Sequence, residues 1–242
     1  MAATKVTERI TAWAGIVCAI GIAFAVSLCL STSRGQFNPG VTIHAVVFRG
    51  FPRLRAFRHI VAQLLGAYIA CLVVYAQYKT FIHAAINALE AKGVFETTMF
   101  TPSDPAGIFE LYIDPDTSLG DFYKGKFISD FVYGLVIFAT THPEDSPSMP
   151  TAMSWLTSMT YGIVVWGSSS MGLATNPARD LGSHLAVLTL FGRAPDHGNS
   201  AMLVALTSVV AMLLAGEAYK RFYGFFFDEP GSMHVTAIDS ET

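Results

Sequence analysis

Apolar and polar positions fall along this chain in long blocks rather than in short amphipathic periods. Five blocks, about 10–31, 58–80, 126–142, 151–169 and 200–221, stay apolar over most of the roughly 20 residues that cross a bilayer. They predict spanning helices. The block at 126–142 is short and contains Asp130, and the block at 151–169 is rich in Ser, Thr and Met. Tilt or burial among neighbouring helices accommodates both. Two weaker apolar runs, about 38–49 and 176–190, each open on Asn-Pro.

The stretch from 81 to 125 carries seven Asp and Glu residues and Pro102, Pro105 and Pro115, and reads as a long polar connection. Its first part, "FIHAAINALEAKG", predicts a short helix ended by Gly93. After Phe227 the sequence "DEPGSMHVTAIDSET" predicts a polar tail over 228–242. The organisation expected is therefore one all-α membrane domain over 1–227.

The two Asn-Pro motifs, "FNPGVT" and "TNPARDLG", raise a physical question, because such residues are poor tenants of hydrocarbon. Asn is a good helix N-cap, and Pro suits the first helical position because its missing N–H is not needed there. Each motif therefore starts a helix. About ten helical residues cover only about 15 Å, half of a bilayer core. Backbone ends at that depth must line a wet cavity or be buried in protein.

Lys and Arg in short loops set orientation. Arg49, Arg53, Arg55 and Arg58 place the first interspan loop in the cytoplasm, with His142–Pro150, Lys220 and Arg221 on the same side. The acidic 81–125 connection and the "NPARD" loop then lie outside. Two half-helices thus enter from opposite faces and present their N-termini near the midplane, as in an inverted repeat. Two such ends, with their N–H groups and the Asn38 and Asn176 amides, make an electropositive site that repels cations and hydrogen-bonds water or hydroxyls. Arg179, costly in a membrane unless it faces a wet cavity, narrows that site and adds a fixed positive charge.

Composition agrees. The chain is 52% apolar and 14% charged, with a mean hydropathy of +0.45, against roughly 25% charged in soluble domains. A net charge of -3 with no basic tail argues against a nucleic-acid partner. Cys18, Cys29 and Cys71 lie in apolar segments with neither metal-ligand spacing nor a disulfide pattern. The N-terminal apolar run is long for a signal peptide and lacks a clear cleavage site, so it predicts a spanning helix. No Ser-His-Asp arrangement, metal cluster or phosphate-binding loop points to an enzyme or to a cofactor. A secondary transporter could use the same half-helix dipoles.

The chain resembles the major intrinsic proteins, the aquaporins and aquaglyceroporins. "NPARDLG" is close to the second family signature, with Asn176, Pro177 and Ala178 as its core. "FNPGVT" is similar to the first, with Asn38, Pro39 and Gly40 in place of Asn-Pro-Ala. "VAQLLGAYIACLVVY", with Gln63 and Gly66, resembles the third family helix, and "FISDFVYGLVIFATT" the fourth, with Asp130 where Glu is usual. The resemblance implies an aquaporin-like inverted-repeat bundle and a passive channel for small uncharged solutes in a lipid membrane. It also implies a homotetramer with one pore per subunit. Asp180, directly after Arg179, looks like the glycerol-conducting branch, so glycerol and water are the expected solutes.

The chain departs from the family at several points. It begins at what resembles the second family helix, so five spans and two half-helices are expected instead of six and two. Gly40 in place of Ala predicts a small void between the half-helices and a looser constriction. Arg34 stands where Gly is usual, and Gln36 where His is common. The loop "WGSSSMGLAT" is about three residues short of the family pattern. By position Cys18 falls at one filter site, where a small residue favours a wide filter, or is simply a packing residue. Leu173, and either Val164 or Gly167, are the other filter candidates. Asp130 is expected to be a buried acceptor for backbone N–H groups near the second half-helix. The missing span and altered first motif keep open a second reading, a non-conducting relative with a structural or regulatory role.

Overall fold

The computed structural model describes residues 2–33, 35–101, 105–113, 117–141, 150–168, 175–192 and 198–227. They form eight α-helices: α1 (Ala2–Ser33), α2 (Pro39–Phe48), α3 (Arg53–Ala91), α4 (Phe95–Thr98), α5 (Leu119–Thr140), α6 (Pro150–Ser168), α7 (Pro177–Phe191) and α8 (Gly198–Phe227). One 3-10 turn, Pro105–Ile108, lies between α4 and α5. The predicted tail, together with Arg34 and Leu173, lies outside the described residues. By length and hydropathy, two described segments suffice to cross a bilayer, Arg53–Ala91 and Met202–Tyr223.

The helices are apolar on their exposed faces, and their interior mixes apolar side chains with an unusual number of polar and charged ones. Trp13, Val17, Phe24 and Leu28 on α1, Leu65, Ile69 and Val73 on α3, and Leu206, Val210 and Leu214 on α8 form exposed stripes near the helical repeat. Thr42, His44, Lys126, Asp130, Ser158, Thr175, Asp180, Ser183 and Ser208 are buried. Lipid is the solvent in which that distribution is stable.

Small residues at the crossings bring the helix backbones together. On α6, a Cβ at Gly162 would lie 3.1 Å from the Gly15 carbonyl oxygen and 3.3 Å from the Ala19 Cβ of α1, and Trp166 covers Gly15. On α5, a Cβ at Gly134 would lie 2.8 Å from the Ala215 Cβ of α8. On α7, a Cβ at Gly182 would lie 2.6 Å from the Ala67 Cβ of α3. The most apolar stretch of α3 has no fully buried residue: one face, with Ala67, meets α7, and the other, with Leu65, Ile69 and Val73, is exposed.

Two expectations about the 81–125 connection change. The helix expected to end at Gly93 as a separate piece is the continuation of α3, whose 39 residues reach about 58 Å, well beyond a ~30 Å hydrocarbon core. It stops where Gly93 takes φ +70, a left-handed value natural to glycine. The following stretch is not an open polar loop. Met99, Ala106, Phe109 and Tyr112 are buried and pack with Ile82, Ile86, Val187 and Phe191, which roofs one end of α3 and α7.

Candidate pore site

Each Asn-Pro motif starts its helix as the capping rules require. Asn38 is extended (φ -130, ψ 120), and its side-chain Oδ1 accepts from the Gly40 N–H at 2.8 Å. Asn176 is also extended (φ -141, ψ 109), and its Oδ1 accepts from the Ala178 N–H at 2.9 Å. Pro39 and Pro177 occupy the first helical positions.

The amide nitrogens tie the two helices to each other. Asn38 Nδ2 donates to the Thr175 carbonyl at 2.9 Å, and Asn176 Nδ2 donates to the Phe37 carbonyl at 2.8 Å. The order of contacts along α8 shows that α2 and α7 run apart from this junction. Gly40 meets Met212 and His44 meets Gly216, further along α8, whereas Asp180 is reached through Lys126 and Ser208, earlier on it. Two helix N-termini therefore face one point from opposite sides, each with about half a positive charge.

Gly40 does not leave a void. A Cβ there would lie 2.9 Å from Met212 Cγ and 3.0 Å from Met212 Cβ, so α8 fills the space that Ala would take. The void expected from the sequence is thus filled by Met212 of α8. His44 packs over Gly216 and against Phe138, with ring centroids 4.1 Å apart. Gln63 holds the turn into α2, its Nε2 donating to the Gln36 carbonyl at 2.7 Å and to Thr42 Oγ1 at 3.1 Å.

Arg179 lies in the first turn of α7, and its side chain is 39% exposed. Cys18, the α1 filter candidate, is exposed, and Cys71 of α3 packs against the cluster of Ile82, Phe109 and Val187. Of the two α6 candidates, Val164 is buried among Tyr133, Ile137 and Met212 as a packing residue. Gly167 opens on free space.

Behind Arg179 lies a buried group of charges. Asp180 Oδ1 is 3.6 Å from an Arg179 nitrogen, and Asp180 Oδ2 is 3.9 Å from Lys126 Nζ. Lys126 is 3.2 Å from Asp130 Oδ2 and donates to Ser208 Oγ at 2.9 Å. Asp130 is buried as expected, but among the described residues its partner is Lys126, not backbone N–H groups. A Lys four residues before an Asp in an apolar block was the signal available for this pair. On the roof, the Glu110 carboxylate meets His184 Nδ1 of α7 at 2.6 Å and accepts from the Tyr112 hydroxyl at 3.2 Å. Burial, and then the Glu110 charge, push the Tyr112 phenol well above its ordinary pKa, so it remains a donor. Among the described residues no cluster of His, Cys, Asp and Glu could hold a metal ion.

The same arrangement has relatives. The sequence model of the family described as Major intrinsic protein matches residues 2–216. Aquaporin-3 of Laccaria bicolor is 42% identical over 209 residues, covering 86% of this chain and 63% of that protein. Aquaglyceroporin-2 of Rhizophagus irregularis is 29% identical over 177 residues, covering 72% of this chain and 54% of that protein. The chain therefore spans less than two thirds of the length of these relatives. The crystal structure of the aquaglyceroporin from Plasmodium falciparum shares the fold, with a TM-score of 0.56 at 20% identity, covering 90% of this chain and 95% of that one. The chain belongs to the major intrinsic protein family, whose members are integral multi-pass membrane proteins.

Proposed function

We propose that this protein is a passive channel for small uncharged solutes, water and glycerol first among them. The carrying observation is the reciprocal Asn38–Asn176 junction, at which two capped helix N-termini meet. Each amide gives one N–H to the opposite backbone and its oxygen to its own helix. The second N–H of each is the donor offered to a passing oxygen. Two N-terminal dipoles and Arg179 repel protons and cations. Cys18 and Gly167, both small, with Leu173 complete the reading of the filter. Gln63, Asp130 and Asp180 support it from behind.

Asp180 beside Arg179 favours glycerol over a water-only pore, as does similarity to proteins named aquaglyceroporins. Five helices, α1, α3, α5, α6 and α8, are taken as spans, with α2 and α7 as re-entrant halves in one domain over 1–227. The assembly is taken as a homotetramer. No chemical step and no cofactor is involved.

A second reading, a non-conducting relative with a structural or regulatory role, draws on the altered first motif, with Gly40 in place of Ala. Stopped-flow light scattering on proteoliposomes separates the two. Fast water and glycerol flux with a low activation energy supports the channel. Flux equal to that of empty vesicles, from folded protein, supports the second reading.

A further inference from the structure

Asp180 is shared between two cations. Its Oδ1 lies 3.6 Å from Arg179 and its Oδ2 3.9 Å from Lys126, and neither oxygen makes a hydrogen bond among the described residues. A buried carboxylate with one arginine neighbour closes to hydrogen-bond distance, often through two parallel bonds. Here it does not close on either side. Lys126 is 1% exposed and anchored beside Asp180 by Asp130 at 3.2 Å and Ser208 at 2.9 Å. The four charges alternate, Arg179, Asp180, Lys126, Asp130, and sum to zero, which is the condition for keeping them in a low-dielectric interior.

We infer that Lys126 is a specificity-determining positioning residue: by holding the second oxygen of Asp180, it keeps Arg179 from folding back and leaves the guanidinium facing the pore. This inference rests on the channel reading for its effect on flux, but not for its effect on Arg179. Without Lys126, Asp180 has only Arg179 to pair with. The guanidinium then withdraws from the lumen and the constriction widens.

Lys126→Met alone leaves two buried carboxylates with one cation, a change that threatens folding. The double variant K126M/D130N removes one charge of each sign and keeps the interior neutral. Full-length wild type, K126M/D130N and D180N are reconstituted in liposomes and treated with methylglyoxal, a small neutral arginine reagent, and adducts at Arg179 are quantified by peptide mass spectrometry. Arg179 modification is expected to slow several-fold in K126M/D130N and not to slow in D180N, where the competing carboxylate is gone. Unfolding moves modification in the opposite direction, so a merely structural role for Lys126 does not imitate the result. The glycerol-to-water permeability ratio of K126M/D130N is expected to rise several-fold.

Arg179 modification in K126M/D130N as fast as in wild type overturns the inference. Slowed modification with an unchanged permeability ratio overturns the specificity role. Should wild type conduct neither solute, the channel reading falls, while the Arg179 comparison still decides whether Lys126 sets its position.

Discussion

Asn38 and Asn176 each donate to the backbone of the strand of chain that precedes the other: Asn38 to the Thr175 carbonyl at 2.9 Å, Asn176 to the Phe37 carbonyl at 2.8 Å. Each also caps its own helix. One side chain therefore performs two tasks, and the two half-helices cannot be loosened separately. Replacing either Asn with Ala removes a cap, at about 1 kcal/mol, and one of the two cross-bonds. Both variants are expected to lower the thermal midpoint of the detergent-purified protein and to reduce water flux in the same liposome preparation. A variant that keeps full flux and full stability would remove the junction from the proposed pore.

Arg179 supplies the fixed positive charge that is not part of either helix backbone. Arg179→Val is expected to raise proton and cation leak through reconstituted protein, read with an internal pH dye under a potassium gradient. Unchanged leak would show that the two helix dipoles alone exclude ions and that Arg179 does something else.

Gly40 and Met212 are packed as a pair, so restoring the family's Ala is expected to hurt. Gly40→Ala places a methyl group 2.9 Å from Met212 Cγ, an overpacking of the kind that costs about 1–3 kcal/mol. Shortening the partner in G40A/M212V is expected to recover most of the loss. Thermal unfolding of wild type, both single variants and the double variant measures the coupling; additive effects would mean that the two residues do not meet.

Glu110 and His184 fasten the roof to α7. E110Q and H184A are each expected to expose residues 105–113 to faster amide exchange. Residues in such direct contact couple by roughly 0.5–3 kcal/mol, so the double variant should add little to either single one. Exchange in 105–113 that stays at the wild-type rate would assign the roof's order to Met99, Phe109 and Tyr112 instead.

The all-α class, the long apolar blocks and the two short Asn-Pro helices with their N-terminal ends were legible in the sequence. These follow from local chemistry: block length against bilayer thickness, and the capping preference of Asn followed by Pro. Helix boundaries at 38–49 and 176–190 agree with Pro39–Phe48 and Pro177–Phe191 to within a residue at each end. Tertiary structure decided what fills the space around those ends. Whether Gly40 leaves a void depends on Met212, far along the chain on α8. That Lys126 pairs with both Asp130 and Asp180, and that 95–101 and 105–113 pack as an apolar roof, depend on which helix faces meet. Local propensity carries no record of such distant contacts, because a helical residue has the same hydrophobicity and capping preference whichever neighbour it meets. Close packing through Gly134, Gly162 and Gly182 selects those neighbours, since only there can two backbones come near enough to bring the polar faces together.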